Sequence, residues 1–180
     1  MKYPFSQIKI KHTEDVFFTE EEFLRKRKGE ILHLALSFIT YFEDSQDLLS
    51  PLKKAFALLG EREDMWNVSK DFLNVLKGVF SLDISKLFFP QKSDASSIKI
   101  LKERSFFAGS SLFRPDRVVI YPERSVVVDF KSHLPEEEDI KESYRLQVKG
   151  YCKIVSKVYT RPVEGYILYL QPLGVEKVKL

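Results

Sequence analysis

The chain has few of the residues that cross-link a protein or anchor it outside the cytoplasm. Cys152 is its single cysteine, which excludes a disulfide within the chain and an iron–sulfur cluster held by four cysteines. No apolar stretch reaches the length that crosses a membrane, and residues 1–5 lack the apolar core of a signal peptide. We therefore expect a cytoplasmic protein that does not contact the membrane.

A phosphate-binding loop of the Gly-x-x-x-x-Gly-Lys type is also missing, so any nucleotide-driven motor must belong to another domain or chain. The formal net charge of +3 is too small to identify a nucleic-acid binder. Basic residues are nevertheless clustered. Phosphate contact would explain the clusters, and a solvated helix face is the alternative. They lie at residues 25–28 and, every four residues, at Arg145, Lys149, Lys153 and Lys157.

With 180 residues and 44% hydrophobic content, the chain can build one full-sized core, so we expect a single domain over residues 1–180. Residues 19–97 read as mainly helical and residues 98–180 as a βββαββ core. Residues 1–17 alternate loosely and could pair as a strand or pack as an arm. This order predicts an α/β fold with a mixed central sheet flanked by helices, as in a restriction-endonuclease-like core. The predicted helices are 19–43, 51–59, 63–78, 82–88 and 137–158, and the predicted strands are 98–107, 111–121, 125–131, 163–171 and 174–179.

The most informative segment is the pair of short β-branched runs between Arg114 and Lys131. Residues 121–125 read as a turn, and a hairpin folded there would bring Asp116 next to Asp129. Alternate residues of a strand share a face, so Asp129 and Lys131 would point the same way. Two carboxylates and one ammonium at a strand end are suited to a divalent-metal site that cuts phosphodiesters.

An Asp-x-Lys tripeptide is weak evidence by itself, because charged residues are common. Asp139-Ile140-Lys141 fits the same pattern in a polar, helical segment. Asp129-Phe130-Lys131 differs because it follows three valines, a run typical of a strand buried on both faces. An aspartate that ends such a strand either caps a turn or takes part in chemistry.

Further polar residues lie where such a site would need them, each with a structural alternative. His33 is the one titratable group in a helix that is apolar nearly all round, where a core histidine is the alternative. Gly29, one turn earlier, permits a close approach. Glu103 could be a plain surface carboxylate. Gln147 and Tyr151 are one turn apart on one helix face and need hydrogen-bond partners, either within the fold or at a site.

Taken in order, these residues resemble the motifs of the PD-(D/E)xK nuclease superfamily, specifically its RecB-like exonuclease domains. Gly29-x-x-x-His33 is similar to the family's histidine helix, and Glu103 to the acidic residue before its hairpin. Asp116-Arg117-Val118-Val119 resembles the Asp-Arg-hydrophobic strand. Asp129-Phe130-Lys131 resembles the Asp-Tyr-Lys signature with Phe for Tyr, and Gln147-x-x-x-Tyr151 resembles the Gln-x-x-x-Tyr helix.

The resemblance covers residues 19–180, with residues 45–97 as a helical insertion without motifs. Pro115 stands where the family usually has glycine. The resemblance implies a Mg²⁺ or Mn²⁺ site that hydrolyses DNA by in-line attack of water. Lys131 would orient that water, and Glu103 would help through a second metal or an outer-shell water. The implied metal ligands are His33, Asp116, Asp129 and the carbonyl of Phe130.

The remaining residues would act on the substrate side. Gln147 and Tyr151 would contact DNA or buttress the site, and Arg145 and Lys149 would join them. A helicase motor domain or subunit is an implied partner, as in bacterial helicase-nucleases. Two alternatives stay open: a non-catalytic nuclease-fold module that binds DNA or docks within a helicase complex, and an acidic pair that merely stabilises a hairpin in an unrelated protein.

Overall fold

The computed structural model describes residues 19–43, 47–108 and 111–180, so the predicted arm at residues 1–17 lies outside the described residues. A π-helical turn, Ser69–Leu73, leads directly into α3, and single 3-10 turns lie at Glu63–Met65 and Lys92–Asp94. No helix formed by the described residues combines the length and apolarity needed to span a membrane. The helices are α1 (Glu20–Phe38), α2 (Leu49–Leu59), α3 (Asn74–Ser81), α4 (Ser85–Phe88) and α5 (Glu138–Val158).

The strands form one mixed sheet and a separate hairpin. Five strands make the sheet in the order β1-β4-β5-β6-β7, in which β5 and β6 run parallel and the other neighbours run antiparallel. Among the described residues, β2 and β3 pair only with each other. The strands are β1 (Lys99–Lys102), β2 (Phe106–Ala108), β3 (Ser111–Phe113), β4 (Arg117–Ile120), β5 (Ser125–Lys131), β6 (Val163–Leu170) and β7 (Leu173–Val178).

Helices cover both faces of the sheet, because its central strands alternate their apolar side chains between two cores. Val128 and Phe130 of β5 face a large core shared with α1 to α4. Val127 faces a second core shared with α5, which includes Tyr151 and Cys152. The predicted α/β class, with a mixed sheet flanked by helices, is therefore confirmed. The βαβ unit of β5, α5 and β6 forms the middle of the molecule.

The first helix ends earlier than predicted, at Phe38 rather than near residue 43. Arg117 of β4 is only 1% exposed and donates hydrogen bonds to the carbonyls of Leu36, Ile39 and Thr40, which lie at the end of α1. Its guanidinium also lies 4.1 Å from the centre of the Phe89 ring. A cation at a helix C-terminus satisfies carbonyls that have no partner within the helix. Arg117 thus joins α1 to the sheet.

Two predicted strands are each divided in the structure. Residues 98–107 form β1 and the first strand of the hairpin, and residues 111–121 form its second strand and β4. The division falls at Glu103, whose φ of 51° lies in the left-handed region and ends β1. The sheet therefore receives β1 and β4 as direct neighbours, and β2 and β3 project as an insertion between them.

Candidate metal centre at the end of the sheet

Charged residues from three strands meet at one end of the sheet. β4 runs antiparallel to β1 and β5, so its start lies beside their ends. The register pairs Arg117 with Val128, and continuing it by one residue sets Asp116 beside Asp129. Glu103 follows β1 at the same end, and its N–H donates to the Asp116 carbonyl at 3.0 Å. The hairpin predicted from sequence is confirmed, and it brings the two aspartates together.

His33 places an imidazole from α1 against these carboxylates. Its Nε2 lies 3.0 Å from Oδ1 of Asp116, and its Nδ1 lies 3.8 Å from Oε1 of Glu103. The other oxygen of Asp116, Oδ2, accepts a hydrogen bond of 2.6 Å from the backbone N–H of Phe130. His33, Glu103 and Asp116 each offer a ligand atom, and these atoms lie within 4.8 Å of one another. Oxygen donors suit Mg²⁺ and Mn²⁺, and the imidazole adds a nitrogen donor.

A close helix–strand contact positions His33. A Cβ added at Gly29 would lie only 2.5 Å from Cβ of Ser132, so only glycine lets the two segments approach this closely. Ser132 directly follows β5, the strand that carries Asp129. Because a helix makes one turn in 3.6 residues, His33 is about one turn further along α1 and lies over Asp116. The glycine predicted to permit a close approach does so.

Glu103 is held in an unusual backbone conformation. A φ in the left-handed region costs a non-glycine residue about 1–2 kcal/mol. Arg114 supports the turn, because its Nε donates to the Glu103 carbonyl at 3.3 Å and lies 3.1 Å from Oε2 of the same residue. Residues held in sparsely populated conformations cluster at functional sites. Here the conformation ends β1 and leaves the Glu103 carboxylate beside His33 and Asp116.

Asp129 and Lys131 form the second half of the cluster. Asp129 is 3% exposed, and its Oδ2 lies 2.8 Å from Nζ of Lys131 without a well-aligned hydrogen bond from any described residue. Nζ also donates to Oε1 of Gln147 at 2.8 Å, and Nε2 of Gln147 donates to the Tyr151 hydroxyl at 2.7 Å. The ring of Tyr144 lies 4.2 Å from Nζ. Gln147 and Tyr144 thus hold the ammonium beside Asp129.

The crowded carboxylates shift their own pKa values. Burial and the charge of Asp116 raise the pKa of Asp129 to about 6, and the same two causes raise the pKa of Glu103. Burial alone would lower the pKa of His33, but its hydrogen bond with Asp116 and the nearby carboxylates outweigh this and raise it. The cluster therefore favours an added positive charge, which a proton or a metal ion can supply.

The three clustered donors differ from the ligand set that the resemblance implies. Glu103 lies within direct reach of a shared ion with His33 and Asp116, although the resemblance gives it a second metal or an outer-shell water. Asp129 is adjacent but faces Lys131. Phe130 contributes its N–H to Asp116, and its ring packs edge-on to His33 with a centroid distance of 5.7 Å. The Phe130 carbonyl as a metal ligand stays a prediction.

The helix residues predicted on the substrate side divide into two groups. Gln147 and Tyr151 contact Lys131 directly or through each other, which matches the buttressing alternative. Arg145 is instead bound by the carboxylates of Glu138, Glu142 and Glu176. Lys149 lines a separate pocket of about 410 Å³ on the α5 side. The structure does not bring Arg145 or Lys149 into the cluster.

A basic pocket opens beside the cluster, between α1 and the end of β5. Its volume is about 640 Å³, within the range of small-molecule sites, and His33 and Lys131 line it. Arg25, Lys26, His133 and one carboxylate, Glu30, line the same pocket. Part of the basic run at residues 25–28 therefore faces the cluster, as expected of a surface that receives a negatively charged ligand.

Sequence reasoning assigned no role to three residues that support the cluster. Arg114 stands two positions before Asp116 and supports the turn at Glu103. Tyr144 stands one turn before Gln147 on the predicted helix face, which was the signal that could have identified it. Ser132 follows Lys131 directly, but its contact with α1 depends on long-range packing, for which a single sequence carries no signal.

Comparison with protein-family models finds no match for the chain, and comparison with curated proteins finds none either. The resemblance to PD-(D/E)xK nucleases accordingly rests on the motif residues themselves and stays a prediction. What the structure adds is the spatial arrangement of those residues, which does not depend on any relative.

Proposed function

We propose that the chain is a metal-dependent DNA nuclease of the PD-(D/E)xK superfamily, with a RecB-like, restriction-endonuclease-like core. One observation carries the proposal: residues from four separate elements, far apart in sequence, converge at one end of the sheet in a chemically coherent set. A chance Asp-x-Lys tripeptide would not recruit an imidazole, a further carboxylate and a buttressed lysine. The converging residues are His33, Glu103, Asp116, Asp129 and Lys131.

The residues fit a divalent cation. His33, Glu103 and Asp116 would hold it, with Asp129 as the neighbouring carboxylate, and Asp116 is already oriented by the Phe130 N–H. A bound Mg²⁺ or Mn²⁺ would polarise the phosphate and make water a better nucleophile at neutral pH. Mg²⁺ is usually held by one or two carboxylates together with water and the phosphates of its substrate.

Lys131 would position the nucleophile and offset the charge that develops on the phosphate. Its ammonium is held by Asp129, Gln147 and the Tyr144 ring, so little rearrangement is needed when the substrate arrives. Tyr151 supports the Gln147 amide. Preorganised charges of this kind usually give the largest single contribution to such catalysis.

DNA is the substrate that the surroundings favour. The pocket beside the cluster is lined by Arg25, Lys26 and Lys131, and phosphate backbones draw their affinity from such cations. We propose an exonuclease that acts on single-stranded or unwound DNA in recombination or repair. Because the sequence contains no phosphate-binding loop for a motor, a helicase domain or subunit would supply the unwound strand.

The test is cleavage of end-labelled single- and double-stranded DNA with Mg²⁺, Mn²⁺ or EDTA. We expect cleavage with either metal, none in EDTA, and none by Asp129→Ala, whose fold is checked by circular dichroism. Cleavage at the wild-type rate in Asp129→Ala would contradict the assigned site. A folded wild-type protein that binds DNA but never cuts it would favour a non-catalytic docking module instead.

A further inference from the structure

The β2–β3 hairpin is an insertion placed directly at the candidate site. It stands apart from the main sheet and connects β1 to β4. Glu103, three residues before β2, and Asp116, three residues after β3, are both candidate ligands. The hairpin is therefore well placed to contact whatever the site binds.

One face of the hairpin is anchored to the site's supporting residues. Phe106 and Phe113, which are paired across the two strands, pack against the second core. The ring of Phe113 meets that of Tyr151 edge-on at 6.5 Å, and it lies 3.5 Å from where a Cβ on Gly150 would be. Tyr151 in turn supports Gln147. These contacts explain where the hairpin lies, but they do not explain why its other face is apolar.

The opposite face presents apolar side chains to solvent. Phe107 and Leu112 are direct cross-strand partners and are 77% and 58% exposed. Paired side chains on one face of a two-stranded ribbon lie close enough to form a single surface. Such a cross-strand pair contributes only about 0.2–1 kcal/mol to its own hairpin, and most of the Phe107 side chain is in contact with solvent. Its ring is available to stack on another flat group.

The reach from this face to the site is short. Phe107 lies four residues after Glu103, and Leu112 lies four residues before Asp116. Four residues span at most about 14 Å, which corresponds to about four nucleotides at roughly 3.4 Å per nucleotide along one strand. Arg114 lies within the same connection; its Nε pairs with Glu103, and its side chain is still 59% exposed. The surroundings therefore match both parts of a nucleotide: an apolar face for the base and positive charge for the phosphate.

We propose that Phe107 and Leu112 form a stacking surface for unpaired bases of the strand that is cut, within about four nucleotides of the scissile phosphate. This inference rests on the proposed nuclease function and deepens it by assigning a surface that binds the bases of its substrate. Bases within a duplex are already stacked on their neighbours, whereas single-strand binding proteins stack exposed bases on aromatic side chains. The surface thus selects single-stranded over double-stranded DNA.

The experiment uses single-stranded oligonucleotides that carry the fluorescent base 2-aminopurine at successive positions. Binding is measured in EDTA and with Ca²⁺ in place of Mg²⁺, so that the strand stays intact. The wild-type protein should quench the probe, because a stacked base loses fluorescence. Phe107→Ala should bind the strand about five- to a hundredfold more weakly and lose the quenching, which corresponds to about 1–3 kcal/mol per stacked base.

Control variants separate stacking from other effects. Phe107→Trp retains a flat ring and should quench like the wild-type protein. Leu58→Ala removes an apolar side chain that is 69% exposed on α2, away from the hairpin, and should not change binding. Because Phe107 is itself mostly exposed, its removal should lower the unfolding temperature only slightly, through the loss of its cross-strand pair with Leu112.

The outcomes separate the two proposals. Metal-dependent cleavage by the wild-type protein, with unchanged binding and quenching in Phe107→Ala, would overturn the stacking surface and leave the nuclease standing. Weaker binding and lost quenching in Phe107→Ala, without cleavage by any variant, would support the stacking surface and remove the hydrolytic activity. A wild-type protein that neither binds the single strand nor quenches the probe would overturn the stacking surface.

Discussion

The pattern Asp-x-Lys occurs twice, ten residues apart, in very different surroundings. Asp129 and Lys131 lie in β5, where alternate residues share a face, so Oδ2 and Nζ are 2.8 Å apart. Asp139 and Lys141 lie at the start of α5, where residues two apart point about 200° away from each other. Lys141 pairs with Glu138 instead, at 3.7 Å. The aspartate and lysine side chains of this pattern therefore form an ion pair in β5, whereas in α5 they point apart.

The two copies also differ in how far their aspartates are exposed to solvent. Asp129 is 3% exposed beside a second carboxylate, Asp116, so its charge is costly and favours a bound cation. Asp139 is exposed in the first turn of α5, where a negative charge stabilises the positive end of the helix dipole. A motif gains chemical meaning from its secondary structure and its burial. Substitutions in the helix copy can therefore serve as matched controls for the same substitutions in the strand copy.

The largest difference is expected when the two copies themselves are replaced. Asp129→Ala or Lys131→Ala should lower the rate of DNA cleavage at least about 10²-fold, the loss typical of a removed catalytic charge. Asp139→Ala or Lys141→Ala should keep the rate within about twofold, because exposed residues away from a site contribute little. Cleavage of end-labelled single-stranded DNA in Mg²⁺ measures all four. Equal losses in both pairs would mean that the strand copy has no special role.

The next effect tests the contact that positions α1. Gly29→Ala should lower cleavage about 10- to 10²-fold, because a Cβ would collide with Ser132 and displace the helix that carries His33. Gly174→Ala is the control, since nothing lies within 4 Å of its added Cβ. The same cleavage assay measures both variants. Adding Ser132→Gly to Gly29→Ala should restore activity, and a double variant as slow as Gly29→Ala would show that this contact is not the cause.

A smaller effect is expected from the partners of the two lysines. Gln147→Leu removes the amide that holds Lys131 and should lower cleavage about tenfold, the equivalent of one hydrogen bond to a charged group at about 1.5 kcal/mol. Glu138→Gln removes the partner of Lys141 and should leave the rate within about twofold. Steady-state kinetics should show the Gln147→Leu loss in kcat. A loss confined to KM would instead assign Gln147 to substrate binding.

The smallest effect concerns the aromatic ring beside the strand lysine. Tyr144→Leu should slow cleavage about two- to fivefold, since a cation–π contact contributes about 0.5–1 kcal/mol. Tyr144→Phe keeps the ring and should match the wild-type rate. If the leucine and phenylalanine variants were equally slow, the hydroxyl rather than the ring face would be the important group.

Much of the half that contains the candidate site, residues 98–180, was predictable because its patterns are strong. The valine run before Asp129 and the apolar periodicity of residues 137–158 give β5 and α5 within about one residue. The turn at residues 121–125 sets Asp116 beside Asp129 without any long-range information. The local sequence therefore predicted the strand pair that forms the centre of the candidate site.

The remaining features depend on long-range packing. The separation of the β2–β3 hairpin from the sheet was missed because the left-handed turn occurs at Glu103, where no glycine or proline marks it. The end of α1 at Phe38 follows from Arg117, which is distant in sequence. The direct position of Glu103 beside His33 needs both the turn and the contact of α1 with Ser132. A single sequence carries no signal for contacts of this kind.

The most direct measurement is the binding of Mn²⁺ to the purified protein, followed by electron paramagnetic resonance, which detects the free ion. The wild-type protein and Asp139→Ala should both remove free Mn²⁺ from solution, and Asp116→Ala should not, because it lacks the carboxylate that His33 and Phe130 contact. Circular dichroism confirms that each variant is folded. Equal Mn²⁺ binding by Asp116→Ala and the wild-type protein would contradict a metal centre at the end of the sheet.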